Sequence, residues 1–542
     1  MLEMAPEPEP PARLTIVPDE FVNPAPIPSA TRAAVERWIE DPSSLEFGAP
    51  GDPIAAILLR APPRLHPGPE EKAPKGVPNE EGSAASGKST DDLFQRVVDT
   101  AVGLQQSYLA VQGPPGTGKT TVGARIIASA VEQGLTVAVT ANSHKVIHNM
   151  MRKAAENLGS RQIKSNFIVV SSNATQDVED MYSAGQGFVQ VMRISSASKF
   201  PAEDLEPSGE NGARCGAVIG ATAWGLSNKR LAEVADLLVV DEAGQVPVSR
   251  LPAMGRCLAK RSRGGVVLLG DQMQLANPSE GVHPGDGGDS CLEYLLQDQP
   301  VISRDYGFFL PVSFRLHPEL CQVVSALAYQ RQLTSHKSTL RRRLVLADTE
   351  IVKREAGVQI VPVPHLGNLQ ESDEEALTVA QIVRELCDNR AVQFDDSGER
   401  RQLTLNDIVI VTPFNQQRLK LEDELGPGAR IGTVDLFQGQ EAAVVIVSLA
   451  RSGDASGILD EGGVDELEML GSGAGGGGRG TQFVLDLRRL NVAISRAQCL
   501  AMVVMSPGLA QGVANSVPQM RTLSFACKLL EFSGADGGKQ LP

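Results

Sequence analysis

The residues best suited to chemistry form a glycine-rich segment, GPPGTGKT, at residues 113–120. It matches the spacing G-x-x-x-x-G-K-[ST] of a phosphate-binding loop. An apolar stretch precedes it, and a helix-like run at residues 121–133 follows it. Glycines let backbone N–H groups close around phosphate oxygens, and the helix N-terminus adds a favourable dipole. The segment predicts a nucleotide-phosphate site made by Gly113, Pro114, Pro115, Gly116, Thr117, Gly118, Lys119 and Thr120.

Four polar side chains complete this chemistry. Lys119 is expected to reach the β- and γ-phosphates, and the Thr120 hydroxyl to ligate Mg²⁺. Farther along, an apolar run at residues 238–240 ends in Asp241 and Glu242. A strand that ends in two carboxylates predicts that Asp241 holds Mg²⁺ and that Glu242 polarises the attacking water. An acidic surface turn is the alternative interpretation, and the phosphate loop upstream disfavours it.

Length and composition narrow the class of protein. At 542 residues the chain is too long for one core, so about two to four domains are expected. No apolar run approaches the ~18 residues that span a bilayer, and the N-terminus resembles neither a signal nor a transit peptide. The seven cysteines are scattered, without a C-x-x-C pair. We therefore expect a cytoplasmic protein without a membrane segment, zinc site, iron–sulfur cluster or disulfide framework.

The net charge of −15 bears on the partners. Proteins that coat nucleic acid non-specifically are more often basic. The charge therefore argues against a large basic surface, and it leaves room for a narrow groove that contacts a nucleic-acid backbone locally.

Hydrophobic patterning predicts an α/β fold. Residues 1–90 are rich in Pro and Glu and read as an N-terminal segment and linker, with an amphipathic helix near residues 30–40 and a short strand or helix at residues 54–60. Beyond residue 91, short apolar runs suggest parallel strands buried on both faces. These runs are residues 135–139, 237–240, 266–269, 408–411, 444–449 and 500–505. Residues 471–480 read as a flexible glycine-rich insertion.

The segment DEAGQ at residues 241–245 resembles motif II of superfamily 1 helicases. The resemblance is to the 1B branch, which holds the nonsense-mediated-decay helicase and the DNA-replication nuclease-helicase. The family's other motifs occur in order, resembling Ia at 140–145, Ic at 220–222, III at 270–275, IV at 313–318, V at 432–441 and VI at 489–497. The resemblance implies two RecA-like P-loop domains with parallel sheets, at residues 91–300 and 301–542.

That family pattern assigns further nucleotide contacts. It implies ATP and Mg²⁺ as cofactors and places Gln95 as the adenine-reading glutamine. Gln274 takes the place of the γ-phosphate sensor. Phe314 takes the place of an adenine-stacking tyrosine, Glu441 matches the ribose-contacting carboxylate, and Gly439 lies beside it.

Two arginines are the expected cations of phosphoryl transfer. Stabilising the transition-state charge needs positive groups, and the family resemblance gives that role to Arg315 and Arg496. Both are expected on the lobe opposite Lys119, so that ATP closes the cleft and hydrolysis opens it.

The resemblance also implies single-stranded DNA or RNA as partner, with DNA favoured, 5′-to-3′ movement and a setting in DNA repair. Small hydroxyl and amide side chains suit phosphate and sugar contacts, which carry no sequence information. The candidates are Thr140, Asn142, Ser143, Thr222, Pro413, Asn415 and Thr433. Aromatic residues make up 4% of the chain, so extensive base stacking is not expected.

Other interpretations stay open on the residues alone. A nucleotide-dependent switch acting on a protein or nucleoprotein partner without unwinding is one, although the nearest match to a guanine-reading N-K-x-D element, residues 228–231, lacks the aspartate. A small-molecule kinase is another. No D…E-x-K nuclease pattern lies on an expected strand. The chain is thus expected to be either a helicase-only relative or the C-terminal part of a longer protein, and to be a monomer. Whether it acts with a nuclease domain or a nuclease partner stays open.

Overall fold

The computed structural model describes residues 25–45, 51–65, 87–201, 216–259, 264–276 and 283–534, except for residues 348, 389–390, 396, 435, 438–439, 454–479, 513 and 515 within the last range. The linker expected before residue 91 and the glycine-rich insertion at residues 471–480 lie almost wholly outside the described residues. Within the described chain, no helix is both long enough and apolar enough to cross a bilayer.

The first lobe is built on an eight-stranded parallel sheet with the order β4-β3-β5-β2-β6-β7-β1-β8. Its strands are β1 (Tyr108–Gln112), β2 (Val137–Thr140), β3 (Ser165–Val170), β4 (Val189–Ile194), β5 (Ala217–Gly220), β6 (Leu237–Val240), β7 (Gly265–Gly270) and β8 (Gly307–Phe309). The central strands are apolar throughout because helices or loops cover both faces of the sheet. This sheet extends past residue 300, where the sequence places a domain boundary.

Helices connect these strands and cover the sheet. They are α3 (Gly87–Val102), α4 (Lys119–Glu132), α5 (His144–Ser160), α6 (Thr175–Ala184), α7 (Ala223–Leu226), α8 (Leu251–Met254) and α9 (Cys291–Leu296). One hydrophobic cluster packs α3, α4 and α5 on one face of the sheet, and a second cluster packs α7, α8 and α9 on the other face. The carboxyl ends of the strands therefore meet at one open edge, where ligands of such sheets bind.

The second lobe is built on a five-stranded parallel sheet with the order β12-β18-β17-β15-β16. Its strands are β12 (Gly357–Pro362), β15 (Ile408–Val411), β16 (Arg430–Gly432), β17 (Ala442–Ser448) and β18 (Ala497–Met505). Two small sheets flank it, formed by β9 (Val312–Ser313) with β10 (Thr334–Ser335), and by β11 (Arg343–Val345), β13 (Val392–Phe394) and β14 (Arg400–Gln402).

The helices of the second lobe are α10 (Pro318–Ala328), α11 (Asp373–Asp388), α12 (Asn415–Leu425), α13 (Thr481–Val484), α14 (Leu487–Ile494) and α15 (Val517–Gly534). Two hydrophobic clusters sandwich the sheet, one against α10, α14 and α15 and one against α11. All six apolar runs expected to be strands overlap strands of the two large sheets. The predicted α/β class, with two RecA-like parallel sheets, is confirmed.

The N-terminal segment contains two helices that dock on the first lobe. The helix expected near residues 30–40 is α1 (Ile27–Glu40), which lies against α8. The element expected at residues 54–60 is a helix, α2 (Pro53–Leu58), and its Ile54 and Ile57 are buried in the cluster behind β1. Burial of apolar side chains against the first lobe stabilises these two helices, although the segment that contains them is rich in proline.

Asp52 connects the two N-terminal helices. Its Oδ1 accepts hydrogen bonds from the backbone N–H groups of Ile54 at 2.8 Å and Ala55 at 3.4 Å, which caps α2. Its Oδ2 accepts from the indole N–H of Trp38 in α1 at 3.0 Å. One carboxylate therefore both begins α2 and anchors α1.

Replacing Asp52 by Ala should loosen α2, because loss of an N-cap costs about 1 kcal/mol. We expect hydrogen–deuterium exchange of the α2 amides to accelerate about fivefold, since 1 kcal/mol corresponds to that factor. Asp52→Asn keeps a capping oxygen and is the matched control. Equal exchange in the Ala variant and the unaltered chain would show that packing alone holds α2.

Candidate nucleotide site and strand-binding edge

The glycine-rich loop connects β1 to α4 at the open edge of the first sheet. Gly116 and Gly118 have φ values of 74° and 87°, a left-handed conformation that glycine adopts without strain. A Cβ atom at Gly113 would lie 2.3 Å from the Lys119 Cγ, so this position also requires glycine. The Lys119 ammonium donates to the Gly113 carbonyl oxygen at 2.6 Å. The loop therefore forms a concave backbone cradle at the N-terminus of α4, as the sequence predicts.

Asp241 and Glu242 follow β6 directly, and Asp241 is 4% exposed. Burial, together with the negative charge of Glu242, raises the pKa of Asp241 to about 7, although the positive charge of Lys119 opposes this rise. Glu242 has a φ of 49°, a strained conformation for a residue other than glycine. The two carboxylates are therefore held close together beside the phosphate loop. Their charge repulsion and the strained backbone of Glu242 cost free energy, and such strain is typical of functional sites.

This arrangement fits a magnesium ion. A buried carboxylate with a raised pKa is stabilised in its charged form by a nearby cation. In the part of the chain that the structure describes, no group of three or more His, Cys, Asp or Glu side chains could hold a metal. Mg²⁺ needs no such group, since it binds one or two carboxylates and takes its remaining ligands from phosphate and water. Asp241 and the half-buried Thr120 are the residues that would hold it.

Arg315 lies against the phosphate loop. The neighbouring Ser313 hydroxyl donates to the Pro115 carbonyl oxygen at 2.9 Å, and a Cβ atom at Gly116 would lie 2.4 Å from the Arg315 Cβ. The Arg315 Nε donates to the Glu441 carboxylate at 2.6 Å. The sequence places this arginine on the lobe opposite Lys119, whereas the structure places it on a segment that contacts both lobes.

Arg496 follows α14 and is 6% exposed. Burial, together with the positive charge of Arg315, lowers the pKa of Arg496 to about 10, although the charges of Glu242 and Glu441 oppose this change. Its Nε is buried and has no hydrogen-bond partner among the described residues. A buried guanidinium with an unused donor, beside the carboxylate that would polarise water, is suited to an anionic oxygen.

The expected base and ribose contacts have other partners in the structure. Gln95 is exposed on α3 and donates to Asp99 at 2.8 Å, a pairing that the helical i,i+4 spacing favours. Glu441 also accepts from the Gln498 amide at 2.8 Å, in addition to its bond with Arg315. Phe314 packs on the ring of His336, with centroids 4.7 Å apart. Gly439 lies outside the described residues.

A relay of hydrogen bonds connects the two lobes beneath the nucleotide site. Asp271 follows β7 and accepts from the Gln274 amide at 2.8 Å and from the Tyr329 hydroxyl at 2.7 Å. The Tyr329 oxygen accepts in turn from the amide of Asn491, in α14, at 3.0 Å. The same amide donates to the Met273 carbonyl oxygen at 2.9 Å. The expected γ-phosphate sensor, Gln274, is thereby joined to the helix that precedes Arg496.

Burial raises the pKa of Asp271, and the charge of Lys119 together with the bond from Tyr329 opposes that rise. Tyr329 is completely buried at the end of α10. The sequence analysis missed Tyr329 and Asn491 as site residues. Asn491 lies within motif VI and could have been found there, whereas no sequence pattern marks Tyr329.

The candidate strand contacts of the first lobe lie at the carboxyl edge of its sheet. Strands β5, β2 and β6 are neighbours and parallel, so their carboxyl ends meet. Thr140 ends β2 and Thr222 follows β5. Asn142 and Ser143 are exposed at the start of α5, where the Ser143 hydroxyl accepts from the Val146 N–H at 3.4 Å. The Thr140 hydroxyl is buried without a partner among the described residues, so it is not available at the surface.

The candidates of the second lobe lie at the corresponding edge of the other sheet. Strands β15 and β16 are parallel neighbours. Half-buried Pro413 and exposed Asn415 follow β15, and half-buried Thr433 follows β16. The structure therefore brings the predicted contacts of each lobe to one edge of that lobe's sheet.

Two family models, each described as an AAA domain, match residues 94–284 and 288–507. The Regulator of nonsense transcripts 1 homolog of Drosophila melanogaster is 26% identical over 433 residues, covering 74% of this chain and 33% of the relative. The DNA-binding protein SMUBP-2 of Rattus norvegicus is 25% identical, covering 76% and 42%. The DNA replication ATP-dependent helicase/nuclease DNA2 of Homo sapiens is 23% identical, covering 74% and 36%.

The two AAA domains, the ordered motifs and these relatives define the class of protein. The chain belongs to the superfamily 1 helicases, in the 1B branch, and this family consists of ATP-hydrolysing enzymes. It spans about a third to two-fifths of the length of these three relatives. The resemblance inferred from residues 91–507 is confirmed.

Replacing Arg496 by Ala should lower kcat for ATP hydrolysis by ~10³ while nucleotide affinity stays nearly unchanged, because an arginine finger acts mainly on the transition state. Steady-state kinetics and nucleotide titration measure the two effects. Arg384→Ala, on the exposed side of α11, removes the same charge far from the site and is the control. A loss of affinity with kcat preserved would instead make Arg496 a ground-state binding residue.

Replacing Tyr329 by Phe should lower kcat up to about tenfold and leave KM for ATP unchanged. A net hydrogen bond is worth about 1 kcal/mol, and about 1.4 kcal/mol of activation free energy corresponds to tenfold in rate. The substitution keeps the ring in the core and removes only the hydroxyl that joins Asp271 to Asn491. Tyr182→Phe removes the hydroxyl of an exposed tyrosine on α6 and is the matched control. An unchanged kcat would reduce Tyr329 to a packing residue.

Proposed function

We propose that this chain is an ATP-driven translocase that moves along single-stranded nucleic acid and separates duplexes ahead of it. One observation carries the proposal. A buried, incompletely bonded Arg496 from the second lobe lies near Glu242, which follows the first lobe's Asp241 beside the phosphate loop. Groups from both lobes are thus positioned to act on a single nucleotide.

The residues of the cleft have separate tasks in this function. The loop amides and Lys119 bind and orient the phosphates, and Glu242 orients the attacking water. When bound at Thr120 and Asp241, Mg²⁺ would neutralise charge on the phosphates. Arg315 and Arg496 stabilise charge in the transition state. Because Arg496 belongs to the second lobe, its attraction to the γ-phosphate favours a closed cleft.

Closure of the cleft would change the distance between the two strand-binding edges. Thr222 and Asn142 lie on one edge, and Asn415 and Thr433 on the other. A strand held on both edges through phosphates and sugars would advance as the lobes cycle. Such contacts need few basic residues, which agrees with the chain's net charge of −15.

We propose DNA as the preferred strand and 5′-to-3′ as the direction. Two relatives support DNA, since one is named a DNA-binding protein and the other a DNA replication helicase/nuclease. The direction rests on the family resemblance of the motifs.

The experiment is to measure ATP hydrolysis with no polymer, with single-stranded DNA and with RNA of the same length and sequence. We expect stimulation of at least tenfold by the preferred strand. Duplexes with a 5′ or a 3′ overhang then report the direction of strand separation. If neither polymer stimulates hydrolysis, the translocase proposal fails and a switch controlled by a protein partner becomes the better hypothesis.

Lys119→Ala should abolish the stimulated ATP hydrolysis, to below about a thousandth of the unaltered rate, because Lys119 is the phosphate-loop cation. Coupled-enzyme assay of phosphate or ADP release measures the rate. Lys353→Ala, which removes an exposed lysine of the second lobe, is the control. Full activity in the Lys119 variant would contradict the assignment of the phosphate loop.

A further inference from the structure

An arginine and a tryptophan stack at the strand-binding edge of the first lobe. The Arg250 guanidinium carbon lies 5.0 Å from the centroid of the Trp224 ring, within the range of a cation–π contact. The Nη1 of Arg250 donates to the Asn142 side-chain oxygen at 3.3 Å. Two contacts from different elements therefore hold this guanidinium in position.

The three residues reach this point from three neighbouring strands. Trp224 is in α7, which follows β5, Asn142 follows β2, and Arg250 lies between β6 and α8. Since β5, β2 and β6 are adjacent and parallel, the cluster lies at the carboxyl edge where Thr222 and Ser143 also lie. None of the helicase motifs identified in the sequence includes Trp224 or Arg250.

Charge around Arg250 is not compensated locally. Its side chain is half-buried, and burial lowers its pKa from the ordinary value. Within the described residues no carboxylate lies within 4 Å of its nitrogens. Burial of a charged side chain is costly unless a partner compensates its charge. A planar, oriented guanidinium without a carboxylate is suited to a phosphate group.

We propose that Arg250 binds a backbone phosphate of the single strand, with Trp224 and Asn142 holding its guanidinium in position. The inference deepens the translocase function proposed above and rests on it. It adds a charged contact to an edge where the sequence analysis placed only small polar side chains.

Salt dependence of binding tests the phosphate contact. Affinity for a fluorescent single-stranded oligonucleotide, of the polymer that stimulates hydrolysis, is measured from low to moderate salt without nucleotide. For Arg250→Gln we expect the slope of log K against log [salt] to become shallower by ~0.7, the value for one phosphate contact on a single strand. The weakening should be equal for oligonucleotides of different sequence.

A matched variant and a conservative one sharpen this test. Arg161→Gln removes the same charge from the C-terminal end of α5, away from the strand edge, where Arg161 pairs with Glu132, and should leave the slope unchanged. Arg250→Lys keeps the charge but loses the planar stacking, so the slope should stay and the affinity should fall severalfold. An unchanged slope in Arg250→Gln, with binding still salt-dependent, would overturn the inference while the translocase function stands.

Tryptophan fluorescence supplies an independent reading of the same surface. The chain has two tryptophans, so a Trp38→Phe background leaves Trp224 as the single reporter. Emission from Trp224 should change on addition of the oligonucleotide and saturate with the same affinity as binding. Saturable binding without any change in emission would overturn the inference. Absence of binding by the unaltered chain would overturn it together with the proposed function.

Discussion

The structure depends on bringing incompletely compensated charges of two separate sheets into one cleft. Arg315 and Arg496 lie close enough to lower the pKa of Arg496, and Asp241 and Glu242 lie close enough to raise the pKa of Asp241. Like charges at such short range are costly in a buried site. The packing of each lobe's core stabilises the fold against this electrostatic repulsion. A bound nucleotide with its cation would reduce the repulsion, because the phosphates would offset the positive charges and Mg²⁺ would offset the negative ones.

The hydrogen-bond relay beneath the cleft gives this electrostatic arrangement a mechanical connection. Asp271 belongs to the first lobe, and Tyr329 and Asn491 belong to the second, so the relay crosses the lobe boundary. It is buried, and each of its bonds is therefore stronger than a solvated one. An unbroken run of hydrogen bonds thus joins Gln274 to α14.

Much of the fold and part of the site could be predicted because the signals are local. The phosphate loop, the carboxylates after β6 and the apolar strands each occupy a few consecutive residues, and the backbone conformation they need is encoded by those same residues. Gly116 and Gly118 show this directly, since their positive φ values follow from the loop type. The placement of Gln95 and Glu441 was less predictable, because each found a partner inside the protein that no motif specifies.

The sequence by itself determined the class of fold, the phosphate loop and the order of the helicase motifs, because these depend on short-range spacing. The tertiary structure decided which distant side chains meet. Tyr329 reaches Asp271 across 58 positions of the chain, Arg250 reaches Asn142 across 108, and Arg315 reaches Glu441 across 126. Parallel sheets bring the ends of non-consecutive strands to one edge, and only that packing establishes which charges face each other there.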